Sequence, residues 1–321
     1  MKRFANILFV VGSGLNEKSA FKRAVELTKT NQAKLTVVGV FNDINRLKSS
    51  IPIAQSFIDD VVKQKKREIQ EFVNTVSDLV LDIEIKVFTG RAFIDVIQEV
   101  IKFKRDLLIK AIEEQDGLIE TLFGSTDIKI LRKCPCPVWL IKAKKQEGYK
   151  EILVGLRYEP KNLENERMNL QMLRMAGYLA LAEFSELHVV HAWKLQHESI
   201  LRSYRSKYSP ADVDAMVKAE KKVRKQWLEE IIEKSLLSID FDVLSYLKPQ
   251  IHLVDGNADK VVPEQVKKIG AELLVMGTVA RSGIAGYLIG NTAEIILNQI
   301  DCSVLAIKPE GFISPVKITN T

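Results

Sequence analysis

The residues best suited to chemistry are the glycines and small polar side chains between Gly277 and Thr292. A short apolar run ends at Gly277, and a helical pattern opens after Gly290 with Asn291 and Thr292. Glycines let backbone N–H groups approach an anion closely, and a helix start adds further N–H groups and the positive end of its dipole. The pattern favours a phosphate-binding loop, although Asn291 and Thr292 could equally cap the helix.

The sequence contains no evident catalytic constellation. Its four histidines, His188, His191, His197 and His252, are scattered, and the spacing of His188 and His191 places them on opposite faces of a strand. No pair of acidic residues has a reason to converge, and a Walker lysine is absent. We therefore predict that the protein is not an enzyme.

The three cysteines do not predict a disulfide framework or a metal site. Cys134 and Cys136 are separated by one proline, which is too tight a spacing for the usual zinc pair. Cys136 and Cys302 precede the last apolar run of each half, and we interpret them as small buried side chains. We expect no bound metal.

Composition indicates a soluble globular chain, with 46% hydrophobic and 27% charged residues. No apolar run is long enough to span a bilayer and no cleavage site follows the first one, so we expect a cytoplasmic protein without membrane insertion. The formal net charge is +6, but the basic runs lie in helical patterns and are interleaved with acidic or apolar residues. Specific binding to nucleic acid is therefore not expected.

The chain is a tandem duplication. The segment Leu273–Lys308 overlays Leu107–Lys142 without a gap at an offset of 166 positions, since 273 minus 107 is 166. The same offset aligns Gly256-Asn257-Ala258 with Gly90-Arg91-Ala92, which extends the repeat. The two halves are therefore expected to share one fold.

Each half alternates apolar strands with amphipathic helices. Continuous apolar runs such as Asn6–Val11 are typical of parallel strands that are buried on both faces. Because strand, helix and strand at this spacing form a right-handed crossover, we predict an α/β fold with two tandem doubly wound parallel sheets of five strands each. The charged linker Lys142–Gly148 separates a first domain, residues 1–146, from a second, residues 149–309, and residues 310–321 are expected to form a surface tail.

Two stretches resemble the universal stress protein family: Leu131–Trp139, LRKCPCPVW, and Gly277–Glu294, GTVARSGIAGYLIGNTAE. Nucleotide-binding members carry Gly, two residues, Gly, nine residues, then Gly followed by Ser or Thr. The second half keeps this spacing, but Ala280 and Asn291 replace two of the four residues. Over nearly its whole length the chain is similar to the tandem, E-type members.

The resemblance implies an adenine nucleotide alpha hydrolase-like sheet with strand order 3-2-1-4-5 in each half and a ligand crevice at the carboxyl ends of the strands. ATP or another adenine nucleotide is the only cofactor that it suggests, and only for the second domain. The implied site for a nucleotide or small anion consists of Gly277, Thr278, Val279, Ala280, Arg281, Gly290, Asn291, Thr292, Gly155 and Val190.

Both halves depart from the nucleotide-binding pattern. Relatives place an aspartate at the end of the first strand, where this chain has Gly12 in one half and Arg157 in the other. Arg157 could favour an anionic ligand or pair with a neighbouring glutamate at the surface. In the first half Ala111 and Glu114 replace the two leading glycines, and the carboxylate of Glu114 would repel a triphosphate. We therefore expect no nucleotide in the first domain.

In this family the last strands commonly pair across two domains, and Val138–Ile141 and Val304–Ile307 are apolar enough to do so. We predict an intramolecular pseudo-dimer of the two halves, with a homodimer of chains as a further prediction. The predicted function is that of a non-catalytic stress-response protein with a degenerate site for a nucleotide or small anion in the second domain. Two alternatives remain open: an apolar-ligand carrier or scaffold that binds no nucleotide, and a DNA-protection factor.

Overall fold

A computed structural model of the chain describes residues 4–12, 17–41, 55–76, 82–112, 122–142, 148–203, 206–240, 242–278 and 290–318. The chain divides into two compact units. The first comprises Met1–Glu147, Thr278–Asn291 and Ser303–Thr321, and the second comprises Gly148–Gly277 and Thr292–Cys302. The last strand of the chain therefore belongs to the first unit.

The first unit contains a sheet with the strand order β3-β2-β1-β4-β5-β10. Its first five strands are parallel, and β10 runs antiparallel to β5. The strands are β1 (Asn6–Val11), β2 (Lys34–Val40), β3 (Ile83–Phe88), β4 (Leu107–Ala111), β5 (Val138–Ile141) and β10 (Ser303–Ile307).

Helices cover this sheet because its central strands are apolar on both faces. In β1, Phe9 is fully buried and meets Phe21 edge to face, with 5.1 Å between the ring centroids. Such aromatic pairs add to the stabilisation that area burial provides. The helices described in the first half are α1 (Glu17–Asn31), α2 (Gln55–Asn74), α3 (Ala92–Lys102) and α4 (Ser125–Lys133).

The second unit repeats this architecture with four parallel strands in the order β9-β6-β7-β8. They are β6 (Glu151–Gly155), β7 (Glu186–Trp193), β8 (Gln250–Asp255) and β9 (Leu273–Gly277). The other helices among the described residues are α5 (Leu163–Glu183), α6 (Glu198–Leu201), α7 (Pro210–Leu237), α8 (Val243–Leu247), α9 (Ala258–Ile269) and α10 (Asn291–Leu297).

The long helix α7 begins where its sequence specifies a start. Ser209 Oγ accepts a hydrogen bond from Asp212 N at 3.2 Å, and the Asp212 carboxylate accepts one from Ser209 N at 2.9 Å. Pro210 occupies the first helical position, where a missing N–H has no cost. This reciprocal capping fixes the point at which the chain enters the helix.

The two last strands pair with each other, as predicted. Val304 lies opposite Leu140, Leu305 opposite Trp139 and Ala306 opposite Val138. All residues of both strands are buried. The pairing removes the open edge that β5 would otherwise present.

The α/β fold, the parallel sheet and the 3-2-1-4-5 strand order predicted for the first half are confirmed. Cys136 and Cys302 are buried, as expected, with exposed fractions of 6% and 1%. Within the described residues, no helix has both the length and the apolar character needed to cross a membrane.

Candidate functional site

Three of the predicted site residues meet at the carboxyl ends of the strands in the second unit. Gly155, the last residue of β6, lies opposite Val190 of β7. On its other side Gly155 lies opposite Met276 of β9, which immediately precedes Gly277. This is the edge of a doubly wound sheet at which ligands bind.

The two glycines at this edge serve different purposes. A Cβ atom placed on Gly155 would have no heavy atom of the described residues within 4 Å, so among these residues there is open space beside the end of β6. A Cβ atom on Gly277 would lie 2.9 Å from Cε of Met168, which is closer than real Cβ contacts. The Met168 side chain therefore lies directly against Gly277, whereas Gly155 leaves room beside the backbone.

Thr278 follows Gly277 directly and is the first residue of this part of the chain that belongs to the first unit. Its backbone makes two hydrogen bonds. Its N–H donates to Ile307 O at 3.3 Å, and its carbonyl accepts from Gly290 N at 3.2 Å. Thr278 is fully buried, whereas Asn291 and Thr292 in the first turn of α10 are exposed. The predicted site residues Val279, Ala280 and Arg281 lie outside the described residues, as does Glu114 of the first half.

Lys308 also contacts this loop, which the sequence analysis missed. Its ammonium donates to Thr278 Oγ1 at 2.7 Å and lies 4.9 Å from the centre of the Phe312 ring. Lys308 is 4% exposed, and this burial lowers its pKa to about 8 even though the nearby Cys134 thiol acts in the opposite direction. The available signal was a lysine placed directly after the apolar last strand.

Thr278 and Lys308 resemble a nucleophile beside a base, because a hydroxyl lies within hydrogen-bonding distance of an amine whose pKa is lowered. Thr278 is 0% exposed, however, so its hydroxyl does not face a substrate. The contact instead places the Lys308 ammonium next to Thr278, the residue that follows Gly277. The arrangement suits anion binding better than attack on a bond.

The corresponding part of the first half holds a buried ion pair. Lys110 Nζ in β4 lies 3.1 Å from Asp127 Oδ1 in α4, and the two side chains are 6% and 4% exposed. The other carboxylate oxygen of Asp127 accepts from Gly124 N at 3.3 Å, directly before the helix. A protein carboxylate therefore occupies the anion-binding end of this helix.

The second half has no counterpart of this pair. At the offset of 166 positions, 110 becomes 276 and 127 becomes 293, so the equivalent residues are Met276 and Ala293. Both are buried and uncharged, at 5% and 7% exposure. The first half thus has a pair of opposite charges at these positions, and the second half has two uncharged side chains.

An aromatic cluster lies at the same edge of the second unit. His191, two residues before the end of β7, packs against Trp227 at 5.1 Å and Tyr158 at 6.4 Å between ring centroids. Its Nδ1 donates to Leu156 O at 3.1 Å, and burial is the main reason that its pKa falls to about 4. Within the described part of the chain, Nε2 of His191 has no hydrogen-bond partner.

Arg157 pairs with a neighbouring glutamate, which is the second of the two alternatives weighed above. Its guanidinium lies 3.4 Å from Glu159 Oε1, with 43% and 31% of the two side chains exposed. The Asn169 amide fixes the backbone of Arg157 by donating to its carbonyl at 2.7 Å. The arginine side chain is therefore at the surface, where an ion pair contributes little to stability.

Cys134 and Cys136 are both buried. Sγ of Cys134 and Sγ of Cys136 are 3.5 Å apart. Burial raises the pKa of the Cys136 thiol well above its ordinary value, with the Cys134 thiol adding to the effect. A thiol that stays protonated is a poor metal ligand and a poor nucleophile.

Comparison with known proteins matches both halves to one family. The model of the universal stress protein family matches residues 3–142 and again residues 148–308. The chain is 28% identical to universal stress protein E of Salmonella typhi over 328 aligned positions, covering 100% of this chain and 99% of that protein. Its fold is similar to that of a universal stress protein from Archaeoglobus fulgidus, with a TM-score of 0.60 and 14% identity over 96% of this chain and 99% of that one.

Proposed function

Because the chain belongs to the universal stress protein family, we propose that it acts in the stress response as a non-catalytic protein whose second domain binds an adenine nucleotide or another small anion. In this proposal residues 1–146 form a first domain that binds no nucleotide. Residues 149–309 form the binding domain, and residues 310–321 form a tail.

The main support for the proposal is that Asp127 of the first half corresponds to Ala293 in the second half. The carboxylate of Asp127 accepts from Gly124 N, so a side chain of the protein already uses the backbone donor at the start of α4. Ala293 brings no charge to the equivalent position in α10. In the second half, an external anion can therefore approach the start of α10. In the first half, the Asp127 carboxylate already occupies the start of α4.

Lys308 supports an anionic ligand in the second half. Its amine is 4% exposed and is held by Thr278, the residue that follows the first glycine of the loop. A buried cation interacts more strongly with a nearby anion than a solvated one, because water screens the pair less. Arrival of a phosphate would favour the charged form of Lys308 and raise its lowered pKa.

Titration of ATP into the purified full-length chain by calorimetry tests the proposal. Gly290→Glu puts a carboxylate at the loop of the second half, and we expect it to weaken binding at least about tenfold, equivalent to about 1.4 kcal/mol. Gly124→Glu makes the same change at the equivalent position of the first half and is the matched control, with binding expected to stay unchanged. Equal loss in both variants, or no saturable binding of ATP or of an anion such as pyrophosphate, would refute the proposal.

The assembly and location follow the same proposal. In the proposal the two halves form an intramolecular pseudo-dimer, and two chains associate as a homodimer in the cytoplasm. Sedimentation equilibrium measures the second association directly. A single species of 36.3 kDa at all concentrations would contradict the homodimer.

A groove in the first unit favours a second candidate, the apolar-ligand carrier. It has a volume of about 500 Å³ and lies between α3, Pro135 and the C-terminal tail, with apolar lining from Val100, Ile101, Phe312, Ile313 and Val316. Lys104 and Arg105 also line it, which suits an acyl chain with an acidic head. Saturable binding of a fatty acid by a chain that binds no ATP would favour this function over the first.

A further inference from the structure

Four side chains with metal-binding atoms converge at the amino ends of strands β6, β7 and β8 in the second unit. Glu151 is the first residue of β6, Glu186 and His188 lie at the start of β7, and His252 lies near the start of β8. Nε2 of His188 lies 2.7 Å from Oε2 of Glu151 and 3.9 Å from Oε2 of Glu186. Nδ1 of His188 lies 2.9 Å from Nε2 of His252.

We propose that Glu151, Glu186 and His188 bind a divalent transition-metal ion of the zinc class, with His252 orienting the ligand His188. Each of the three residues offers one ligand atom, and these three atoms lie within 4.8 Å of one another. One imidazole with two carboxylates is a donor set that zinc accepts, and three protein ligands leave a fourth position for water.

The separations between the ligand atoms are close to those that zinc requires. A tetrahedral ion with bonds of 2.0–2.2 Å places its ligands about 3.4 Å apart. The observed distances of 2.7 Å and 3.9 Å lie on either side of this value. Glu186 is 63% exposed and can adjust its rotamer, and Glu151 is 28% exposed, so the site can close on an ion without moving the strands.

The second contact of His188 is the one that a metal-binding histidine usually makes. A ligand histidine commonly uses its other ring nitrogen for a hydrogen bond that fixes the ring and its tautomer. Here that bond joins His188 Nδ1 to His252 Nε2, and the two rings are inclined by only 21°. His188 is 4% exposed, so its orientation is fixed by packing as well.

Glu186 also has a hydrogen-bond partner outside the proposed ligand set. Gln250 Nε2, in the neighbouring strand β8, donates to Oε2 of Glu186 at 2.7 Å. All three strands of the cluster therefore contribute either a ligand or a residue that positions one.

The first half supplies its own cation at the equivalent place. The strand registers make Asn6, Lys34, Thr36 and Lys86 the counterparts of Glu151, Glu186, His188 and His252. There, Lys86 Nζ lies 2.9 Å from the buried carboxylate of Glu99 and 3.4 Å from Glu84. Two of these four positions are lysines in the first half, whereas the second half has two carboxylates and two histidines there and no lysine. The second half therefore offers metal-binding atoms where the first half offers ammonium groups.

The proposed metal site is separate from the candidate nucleotide site. Glu151 begins β6 and Gly155 ends it, so the two sites lie at opposite ends of the same strand. The ion would tie the start of β6 to the start of β7 and stabilise the second unit. A ligand that binds only the folded state raises its stability in proportion to the logarithm of its concentration.

Zinc titration of the full-length chain, after removal of metal with EDTA, tests the inference. We expect one zinc ion per chain by calorimetry and by elemental analysis after desalting, and a higher melting temperature with zinc. His188→Gln should abolish binding, and Glu186→Gln should weaken it at least about tenfold. Because Glu186 is exposed, Glu186→Gln should fold, and it still tests the site if His188→Gln does not fold.

His197→Asn is the matched control, because it removes a histidine elsewhere in the second half. His197 has a positive φ of 60°, a conformation that asparagine tolerates, and zinc binding should be unchanged. Substitution by cobalt should give a spectrum without a sulfur-to-metal charge-transfer band. Absence of zinc binding, wild-type affinity in Glu186→Gln, or binding that is lost in Cys134→Ser would each overturn the assignment.

Discussion

Lys110 and Asp127 form an ion pair of 3.1 Å in a part of the first half where the two side chains are only 6% and 4% exposed. The second half has Met276 and Ala293 at the equivalent positions. One copy of the duplicated sheet therefore has a buried pair of opposite charges at these positions, and the other copy has two uncharged side chains.

Lys110→Met should strongly destabilise the protein. The substitution removes the cation beside the buried carboxylate of Asp127, and breaking a buried pair in this way costs about 3–5 kcal/mol. The measurement is the free energy of unfolding in urea. The double variant Lys110→Met/Asp127→Ala installs the residues of the second half and should recover most of the loss, because an apolar pair of similar volume often replaces a buried ion pair at little cost. A double variant as unstable as the single one would contradict this explanation.

His191 should make stability depend on pH between about 4 and 6.5. Its folded pKa is lowered to about 4 from an ordinary value of 6.5. Within this window the unfolded chain binds a proton that the folded chain does not, so stability is full above about 6.5 and falls as the pH decreases. The lowered pKa corresponds to about 3 kcal/mol in total.

The control for this dependence is His191→Gln, which keeps a polar side chain and removes the titration. Acidic residues also titrate near the lower end of the window, so the relevant quantity is the difference in unfolding free energy between the parent and the variant. That difference should change with pH between about 4 and 6.5 and be flat above it. A difference that is constant throughout would show that His191 has the same pKa in both states.

Lys308→Met should weaken ATP binding without unfolding the protein. The variant removes the ammonium that contacts Thr278 Oγ1 and with it the positive charge beside the loop. We expect affinity to fall about tenfold, equivalent to about 1.4 kcal/mol. Because burial disfavours the charged form of Lys308, the melting temperature should stay level or rise. Lys142→Met, the equivalent change in the first half, should leave affinity unchanged, and equal losses in both variants would rule out this role of Lys308.

Phe184→Gly should stabilise the second unit. Phe184 ends α5 in the left-handed conformation, with φ 55° and ψ 39°, and is 82% exposed. A side chain in this conformation costs about 1–2 kcal/mol, and glycine avoids most of that cost. Phe57→Gly is the control, because Phe57 is also exposed but lies in the helix α2, where glycine should destabilise by about 1 kcal/mol. Thermal melts that shift in the same direction for both variants would contradict the assignment of strain at Phe184.

Much of the fold could be predicted from the sequence because its signals are local or repeated. Continuous apolar runs identified the parallel strands, and the ungapped repeat carried each assignment from one half to the other. The resemblance to the universal stress protein family then supplied the strand order. His188 and His191 both lie in β7, where side chains three positions apart point to opposite faces, as expected. Their hydrogen-bond partners also differ, Glu151 for His188 and Leu156 O for His191.

The charged and histidine side chains of the proposed metal site, and the buried ion pair of the first half, could not be predicted in the same way. Glu151 and His188 are 37 positions apart, and His188 and His252 are 64 apart, so their contacts depend on the register between strands. A shift of one residue would turn each side chain to the other face of the sheet. Scattered histidines in the sequence therefore gave no sign of a cluster. Lys110 and Asp127 were likewise missed, although a lysine inside an apolar strand is a signal that calls for a buried partner.

Photo-crosslinking of the native full-length chain with 8-azido-ATP, followed by mass-spectrometric mapping of the labelled peptides, tests the difference between the two halves most directly. We predict saturable labelling confined to residues 148–308, which unlabelled ATP competes away. Labelling of residues 3–142, or labelling that no excess of ATP reduces, would contradict the view that only the second copy has kept a site for an external anion.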